Sequence, residues 1–398
     1  MKALEERSEL GFLAERLIKK SLCDSCLGRQ MAMVSTGMTN NERGKFIREF
    51  LKRGENPKRC SVCMGLFNNL DAFALKAIKK MKGIEFSTFV VSSKISNELM
   101  SREEALWKST GVKYCEPMKA ELNRELGKII CRKTGKDVDE RTPDITIFAN
   151  TETDDTELKI NPIFIYGRYK KLIRGIPQTK WDKYAETVED IIAKPLMNAT
   201  KGSGHALHGA GREDIDARCL DWRPFVFEVF EPVKRKQNLS VIEKKINETG
   251  KVKVSNLRYS DKKEVVRTKS IRPDKTYMVL AEFERPLEQD ELRSLEGLVG
   301  VISQNTPIRV LHRRADKLRK RRVKNIKWRM ISNKKVEMEI KGEAGLYVKE
   351  LVTGDKGRTK PSISEVMKNP AKVLRLDVIK IWTKDKEYTK AGSGQTPA

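Results

Sequence analysis

The run Gly211-Arg212-Glu213-Asp214-Ile215-Asp216-Ala217-Arg218, followed by the apolar stretch Arg223-Pro224-Phe225-Val226-Phe227-Glu228-Val229, reads as a carboxylate site at the mouth of a strand. Three acids crowd this part of a chain that is otherwise strongly basic, and each of them repels phosphate. Beside arginines, one aspartate stays ionised, the state in which a carboxylate serves as nucleophile or base. The same pattern also describes a surface turn whose charges pair among themselves, and charge pattern alone leaves both readings standing.

The rest of the composition sets the partner. The 398 residues exceed the usual size of one domain, so two domains are expected, each with its own core. Lys and Arg number 81 against 55 Asp and Glu, a formal charge of +26. A balance this basic calls for a polyanion, nucleic acid first and an acidic membrane surface second. Against the membrane stand a mean hydropathy of −0.56 and the lack of any apolar run near the roughly 18 residues that span a bilayer. Met1-Lys2-Ala3-Leu4-Glu5-Glu6-Arg7 opens a charged amphipathic helix and not a signal peptide, so a cytoplasmic location is expected.

Four of the seven cysteines form two pairs, Cys23-Asp24-Ser25-Cys26 and Cys60-Ser61-Val62-Cys63. In a reducing compartment that spacing points to metal before disulfides. Four thiolates complete a tetrahedral zinc site with no open position, which makes the expected zinc structural. The 33 residues between the pairs exceed zinc-ribbon spacing, so a helix is expected between them. Cys115, Cys131 and Cys219 read as small core residues.

Apolar spacing predicts helices over 3–20 and 66–81, a strand through Phe89-Val90-Val91, helices over 96–108 and 116–134, and a strand at Ile145-Thr146-Ile147-Phe148. The polar stretch 150–156 reads as a loop or hairpin tip closing this α+β module. Beyond it, strands are expected at 162–166, 224–230, 251–259, 276–284, 307–312 and 335–341, with helices near 186–198, 238–248 and 287–296. The end of the chain reads as a frayed tail.

Between Arg309 and Arg329 stand eleven basic residues and a single acid, Asp316, with His312 and Trp328 interleaved. A run so one-sided repels itself unless a polyanion neutralises it, which predicts contact with phosphates. Residues 166–178, with Tyr166, Arg168, Tyr169 and Arg174, suit an unpaired nucleotide or a plain basic hairpin equally. The glycine-rich segment 202–209 has the wrong spacing for a dinucleotide loop. Its His205 and His208 fit backbone or phosphate contacts better than a metal. Tyr347 and Lys349 face one side only if the backbone there is extended. No P-loop, HExxH or GxSxG occurs in the chain.

Taken together, these residues resemble the pseudouridine synthases, and within them the archaeal and eukaryotic Pus-ten family. The resemblance covers both cysteine pairs and the stretches 174–181, 211–218, 304–314 and 345–361. It implies an α+β architecture: a zinc-containing, THUMP-like RNA-binding domain over 1–156, a pseudouridine synthase catalytic domain over 157–385 with a mixed, mainly antiparallel sheet, and a flexible tail over 386–398. Gly211-Arg212-Glu213-Asp214 is similar to the family signature, which makes Asp214 the expected nucleophile and Asp216 a supporting acid. Lys275-Thr276-Tyr277 is similar to the family's K-x-Y strand, implying that Tyr277 stacks on the target base. Tyr347-Val348-Lys349 matches an element whose basic residue pairs with the catalytic aspartate. Lysine here departs from the arginine of sister families and cannot make a bidentate pair. Ile363 and Val366 are both candidates for the apolar residue beneath the base.

The implied substrate is tRNA, gripped at the TΨC arm and acceptor stem. Arg168, Tyr169, Arg174, Arg212, Arg313, Arg314, Arg319 and Arg322 are the expected contacts. The implied reaction isomerises uridine 54, uridine 55 or both, by attack of Asp214 on C1′ or C6 or through a glycal, without an organic cofactor. A monomer with no obligate protein partner is expected. The competing readings are a non-catalytic zinc-containing assembly factor, which leaves Asp214 without a purpose, and a THUMP-bearing methyltransferase or thiouridine synthase. The latter needs a nucleotide or S-adenosylmethionine loop that the sequence lacks.

Overall fold

The structure, a computed structural model, describes residues 8–383. The expected tail over 386–398 and the first residues of the expected opening helix lie outside the described residues. Helix α1 (Ser8–Ile18) buries Leu10, Ala14 and Leu17, one face of a 3.6-residue period. Cys23 caps α2 (Asp24–Arg29) and Cys26 lies within it, and α3 (Asn40–Leu51) is the helix expected between the cysteine pairs. A reciprocal pair of hydrogen bonds between Thr39 and Glu42 opens α3. These two helices cross at glycines: a Cβ on Gly28 would lie 1.9 Å from the Asn40 carbonyl, and one on Gly44 1.9 Å from that of Asp24.

Next come α4 (Leu70–Met81), β1 (Thr88–Lys94), α5 (Asn97–Thr110), α6 (Met118–Thr134), β2 (Asp137–Val138), β3 (Ile145–Asn150) and β4 (Asp155–Ile160). They form a sheet of order β2-β1-β3-β4, parallel except for the β3–β4 hairpin, whose tip lies within the polar stretch 150–156. Phe89, Val91, Ile145, Ile147 and Ala149 point into its core. This first unit runs through Pro162 and takes in the later segment Glu231–Arg235. Arg235 fastens that segment by an ion pair to Asp144 at 2.8 Å and a hydrogen bond to the Asn161 carbonyl at 2.7 Å.

The second unit holds β5 (Ile163–Lys171), α7 (Val188–Thr200), β6 (Gly204–Gly209), β7 (Arg218–Phe230), α8 (Leu239–Asn247), β8 (Val252–Ser260), α9 (Lys262–Ser270) and β9 (Asp274–Phe283). It continues through β10 (Gly300–Gln304), β11 (Arg319–Ser332), β12 (Lys335–Gly342), α10 (Val348–Thr353), β13 (Thr359–Lys360), α11 (Ile363–Val366) and β14 (Ala371–Trp382). Its sheet has ten strands in the order β13-β10-β11-β12-β9-β14-β7-β5-β8, with β6 branching from β7. Among these pairings only β14 with β7 is parallel, in keeping with the mainly antiparallel sheet expected. One core packs α7 and α8 on the β5–β7 half, and a second packs the 3-10 helix Asp290–Leu298, α10 and α11 on the β9–β12 half.

Several elements depart from the sequence expectation. Residues 307–312, expected as a strand, form the 3-10 helix Ile308–Arg313 with only Val310 buried. The glycine-rich segment, expected as a loop, is strand β6. Strands β11 and β14 escape a period-2 reading because bulges interrupt both, near Val323 and Met330 in β11 and near Val373 and Val378 in β14. Of the three unpaired cysteines expected in the core only Cys219 is buried, while Cys115 and Cys131 are half-exposed.

Candidate active site

Strand β5 pairs along one edge of β7, from Ile163 opposite Val229 to Lys171 opposite Cys219. The other edge is shared. Strand β14 takes Arg218 and Cys219, β6 takes Phe225 to Phe230, and the residues between are left unpaired on that side. From this gap rises the loop 210–217, with Gly211 at φ +78°, a backbone conformation that favours glycine.

Buried cations and one amide hold the loop by its carbonyls. Lys171, wholly buried, donates to the carbonyls of Asp214 at 3.0 Å, Ile215 at 3.2 Å and Ile176 at 3.0 Å. Arg174 donates to Asp216 O at 2.6 Å, Arg223 to Ala210 O at 2.9 Å, and Gln178 to Gly211 O at 2.9 Å. Burial pushes the Lys171 ammonium below its ordinary range. Five carbonyls bound by three cations, and a sixth by the Gln178 amide, make this a rigid support rather than a flexible tip.

The three acids separate by environment. The Glu213 side chain is fully buried, with Arg223 Nε 3.0 Å from Oε2 and the Tyr169 hydroxyl donating at 3.0 and 3.1 Å. The guanidinium contact is one of charge, because that N–H is not aligned to donate. Asp214 is about one-third exposed, with Arg309 Nη1 3.2 Å from Oδ1 and Lys349 Nζ 3.5 Å from Oδ2. Asp216, the most exposed, binds Lys349 through both oxygens at 2.7 Å. Burial acts to raise the Asp216 carboxyl, but the Lys349 ion pair outweighs it and holds the group below the usual carboxylate range. Glu350 in turn holds Arg309 at 2.7 Å.

Asp214 faces a cavity of roughly 1190 Å³. Tyr277, Tyr347, Lys349, Lys275 and Arg309 share its walls with Arg212, Arg313 and Arg314. Tyr347 is fixed by both backbone groups to buried Gln304, each bond 2.9 Å, and its hydroxyl accepts from Arg314 at 3.2 Å. Its extended backbone precedes the first turn of α10, which turns Lys349 into the same cavity without a strand. Burial pushes the Tyr277 hydroxyl up to about 12. Arg313 lies over the ring of Trp181 at 5.6 Å, and Trp181 leans on Tyr184.

The remaining expected contacts lie elsewhere. Tyr169 is fully buried and bound to Glu213 and Gln178, so it supports the loop from beneath and offers no face to a nucleotide. Arg174 is tied to Asp377 and to two carbonyls, an internal clasp. Arg168 lies on β5, Arg319 is bound to Thr306, and Arg322 is exposed on β11; none of the three lines the cavity. Ile363 and Val366 pack in the core and do not line the cavity, whose apolar walls include Leu346, Val348, Leu376 and Val378. His205 and His208 bind Glu189 and Glu228 at 3.1 and 2.7 Å. Arg309 is the residue that sequence reading passed over, because a strand was expected there. Its signals were membership of the basic run and of the stretch 304–314 that carries the resemblance, and neither singles it out.

In the first unit, Cys23, Cys26, Cys60 and Cys63 are buried with their sulfurs all within 4.8 Å of one another, a set able to hold a metal ion. Cys23 and Cys63 sulfurs lie 3.6 Å apart, close to the roughly 3.8 Å edge of a tetrahedron with 2.3 Å metal–sulfur bonds. Arg29 donates to Cys26 Sγ at 3.4 Å, and a cation beside an anionic thiolate cluster fits the donor set.

The model of the family described as Pus10, C-terminal, matches residues 164–382, and that of the Pus10 THUMP domain, archaeal, matches residues 73–150. The chain is 39% identical to the tRNA pseudouridine synthase Pus10 of Methanothrix thermoacetophila, covering 94% of this chain and 95% of that protein. It is 40% identical to the protein of the same name from Pyrococcus furiosus, covering 92% and 96%. A solved Cbf5-Nop10-Gar1 complex is 15% identical over 55% of this chain and 50% of that one, with a TM-score of 0.34, too slight a likeness to carry an argument.

Proposed function

The chain belongs to the Pus10 family and is a tRNA pseudouridine synthase, and on that premise we propose that Asp214 is its nucleophile and a TΨC-arm uridine, 54 or 55 or both, its target. The observation that carries this reading is the state of Asp214. Of the three acids in its loop it alone is partly open to a large cavity while held between two cations, Arg309 and Lys349. Attack on C1′, attack on C6 and glycal formation all use a carboxylate, and this one stands at the cavity with a cation on either side. Asp216 acts through Lys349, keeping that ammonium beside Asp214.

Isomerisation breaks C1′–N1, turns the uracil and rejoins it through C5, so neither a redox partner nor an organic cofactor enters. The uridine must leave its stack, which costs a few kcal/mol, offset by phosphate contacts and by stacking in the pocket. Tyr277 is in this reading the stacking surface, and Tyr347, fastened by Gln304, borders the same cavity. Arg212, Arg313 and Arg314 on the cavity wall are the nearest phosphate contacts, with Arg319, Arg322 and Arg168 beyond it. The second unit is in this reading the catalytic domain, and the first binds tRNA toward the acceptor stem, braced by structural zinc at the four cysteines. The enzyme acts as a cytoplasmic monomer without an obligate protein partner. Among the described residues no helix is long and apolar enough to cross a membrane.

The test is incubation of purified protein with unmodified tRNA transcript, mapping pseudouridine by carbodiimide-stop primer extension beside Asp214→Asn. New stops in the TΨC arm that vanish in the variant, with tRNA affinity retained, are expected. Stops that persist in Asp214→Asn overturn the assignment.

A further inference from the structure

We propose that the Lys275 amine is the base that takes the proton from C5 of the rotated uracil, the last bond change of the isomerisation assigned above. Lys275 stands on β9 two residues before Tyr277, so both side chains leave the same face of the strand, and both line the cavity with Gly211 and Asp214. It is 8% exposed, yet its only hydrogen bond is a long one, 3.4 Å to the Pro273 carbonyl. Among the described residues no carboxylate pairs with it, because neighbouring Asp274 is bound to Lys324 at 2.5 Å. A buried ammonium normally has a carboxylate partner, and this one has a cavity instead.

The surroundings disfavour its charged form. A Cβ on Gly211 would lie 3.8 Å from Lys275 Nζ and 3.3 Å from Arg223 Nη1, so two cations converge on one glycine. The charged and titratable groups facing the amine are Arg223 and Cys219 from β7, with Asp274 and Arg272 from its own segment. Burial, reinforced by Arg223, brings the Lys275 ammonium down to about 8, while the Tyr277 hydroxyl is pushed up to about 12 and keeps its proton through the neutral range. In the route by attack on C1′, Asp214 is engaged at the sugar.

The step balances. Along the route by attack on C1′, C1′–C5 forms as Asp214 leaves C1′ as carboxylate, giving a uracil with N1=C6 and a tetrahedral C5. The C5 hydrogen passes to Lys275 Nζ as a proton, its electron pair restores C5=C6, and N1 takes a proton. Lys275 returns to its neutral form by releasing its proton to N1 or to water.

The experiment compares single-turnover rates on tRNA transcribed with uridine or with 5-deuterouridine, using the full chain and its Lys275→Met and Lys275→Gln variants. For the unaltered protein at pH 8.5 an isotope effect near 1 is expected, because loss of C5–H is fast. In either variant the rate falls roughly 100-fold and the isotope effect rises to about 3 or more. The unaltered protein alone provides a second reading: its isotope effect grows as pH falls through about 8 and the amine is protonated. A rate loss with the isotope effect still near 1, or an isotope effect independent of both variant and pH, overturns the proposal. Absence of pseudouridine from the unaltered protein would instead count against the activity itself.

Discussion

The four-cysteine region of the first unit and the Asp214 loop of the second each rest on one fully buried arginine, and they use it in opposite ways. Arg29 faces three anionic groups, Glu121 at 2.9 Å, Glu103 at 3.4 Å and Cys26 Sγ at 3.4 Å, beneath four buried sulfurs, and only its Nε, turned toward Glu103, lacks an aligned hydrogen bond. Arg223 holds Glu213 and the Ala210 carbonyl, yet it keeps an orphan Nη2, and the next acid along the loop, Asp214, opens toward a cavity. A site with every charge matched and every position closed braces a fold. A site built as rigidly but with one carboxylate left between half-exposed cations is arranged to react.

The comparison breaks most visibly if the closed site is opened. Cys26→Ser is expected to lose the metal proposed at the four cysteines and roughly 5 kcal/mol of stability. Hydrogen exchange should then show protection lost over 22–81 and kept over 163–230; uniform loss, or none, would equate the two regions. Next in size, Arg223→Leu leaves Glu213 buried without its cation, a loss of roughly 3–5 kcal/mol. Denaturant unfolding should record this together with a fall in turnover, since the loop loses its floor.

A smaller effect is expected where the charge is half-exposed. Arg309→Gln should slow isomerisation roughly 30- to 100-fold, with a midpoint of unfolding within about 2 °C of the parent. A large shift in that midpoint would move Arg309 into the structural class. Smallest is the acid limb at Asp377, where burial acts to raise the carboxyl but hydrogen bonds from Arg218 and the charge of Arg174 hold it low. A depressed carboxyl stabilises the fold above its unfolded value, about 3.9, and the benefit is lost as pH falls through the folded value. The stability gap between parent and Asp377→Asn should therefore be constant from about pH 5 upward and shrink below about pH 4.

How much of this was legible follows from the range of the forces involved. Helices α1, α4, α5 and α6 were readable because each buries one stripe of regularly spaced apolar residues. The helix between the cysteine pairs followed from spacing alone. Strands β11 and β14 were not readable, since their bulges shift the alternation midway and β11 buries little besides Val323 and Ile326. Tyr169 looked like a nucleotide contact because it stands among basic residues, but the pleat of β5 turns it inward to Glu213. Arg309, hidden in an expected strand, reaches Asp214 only because the chain there coils into a 3-10 turn.

By itself the sequence determined the two cysteine pairs and the basic run, because these depend on residue type and short spacing, and it singled out Asp214 only through its resemblance to a family signature. Only the tertiary structure decided which of three adjacent acids is buried, which is paired at the surface and which opens to the cavity. That choice is made by residues about 40 to 135 positions away, Lys171, Arg309 and Lys349, and by the shared edge of β7 that lets the loop emerge. Burial and charge at a carboxylate are set by whatever packs against it, and packing partners so distant along the chain leave no local pattern to read.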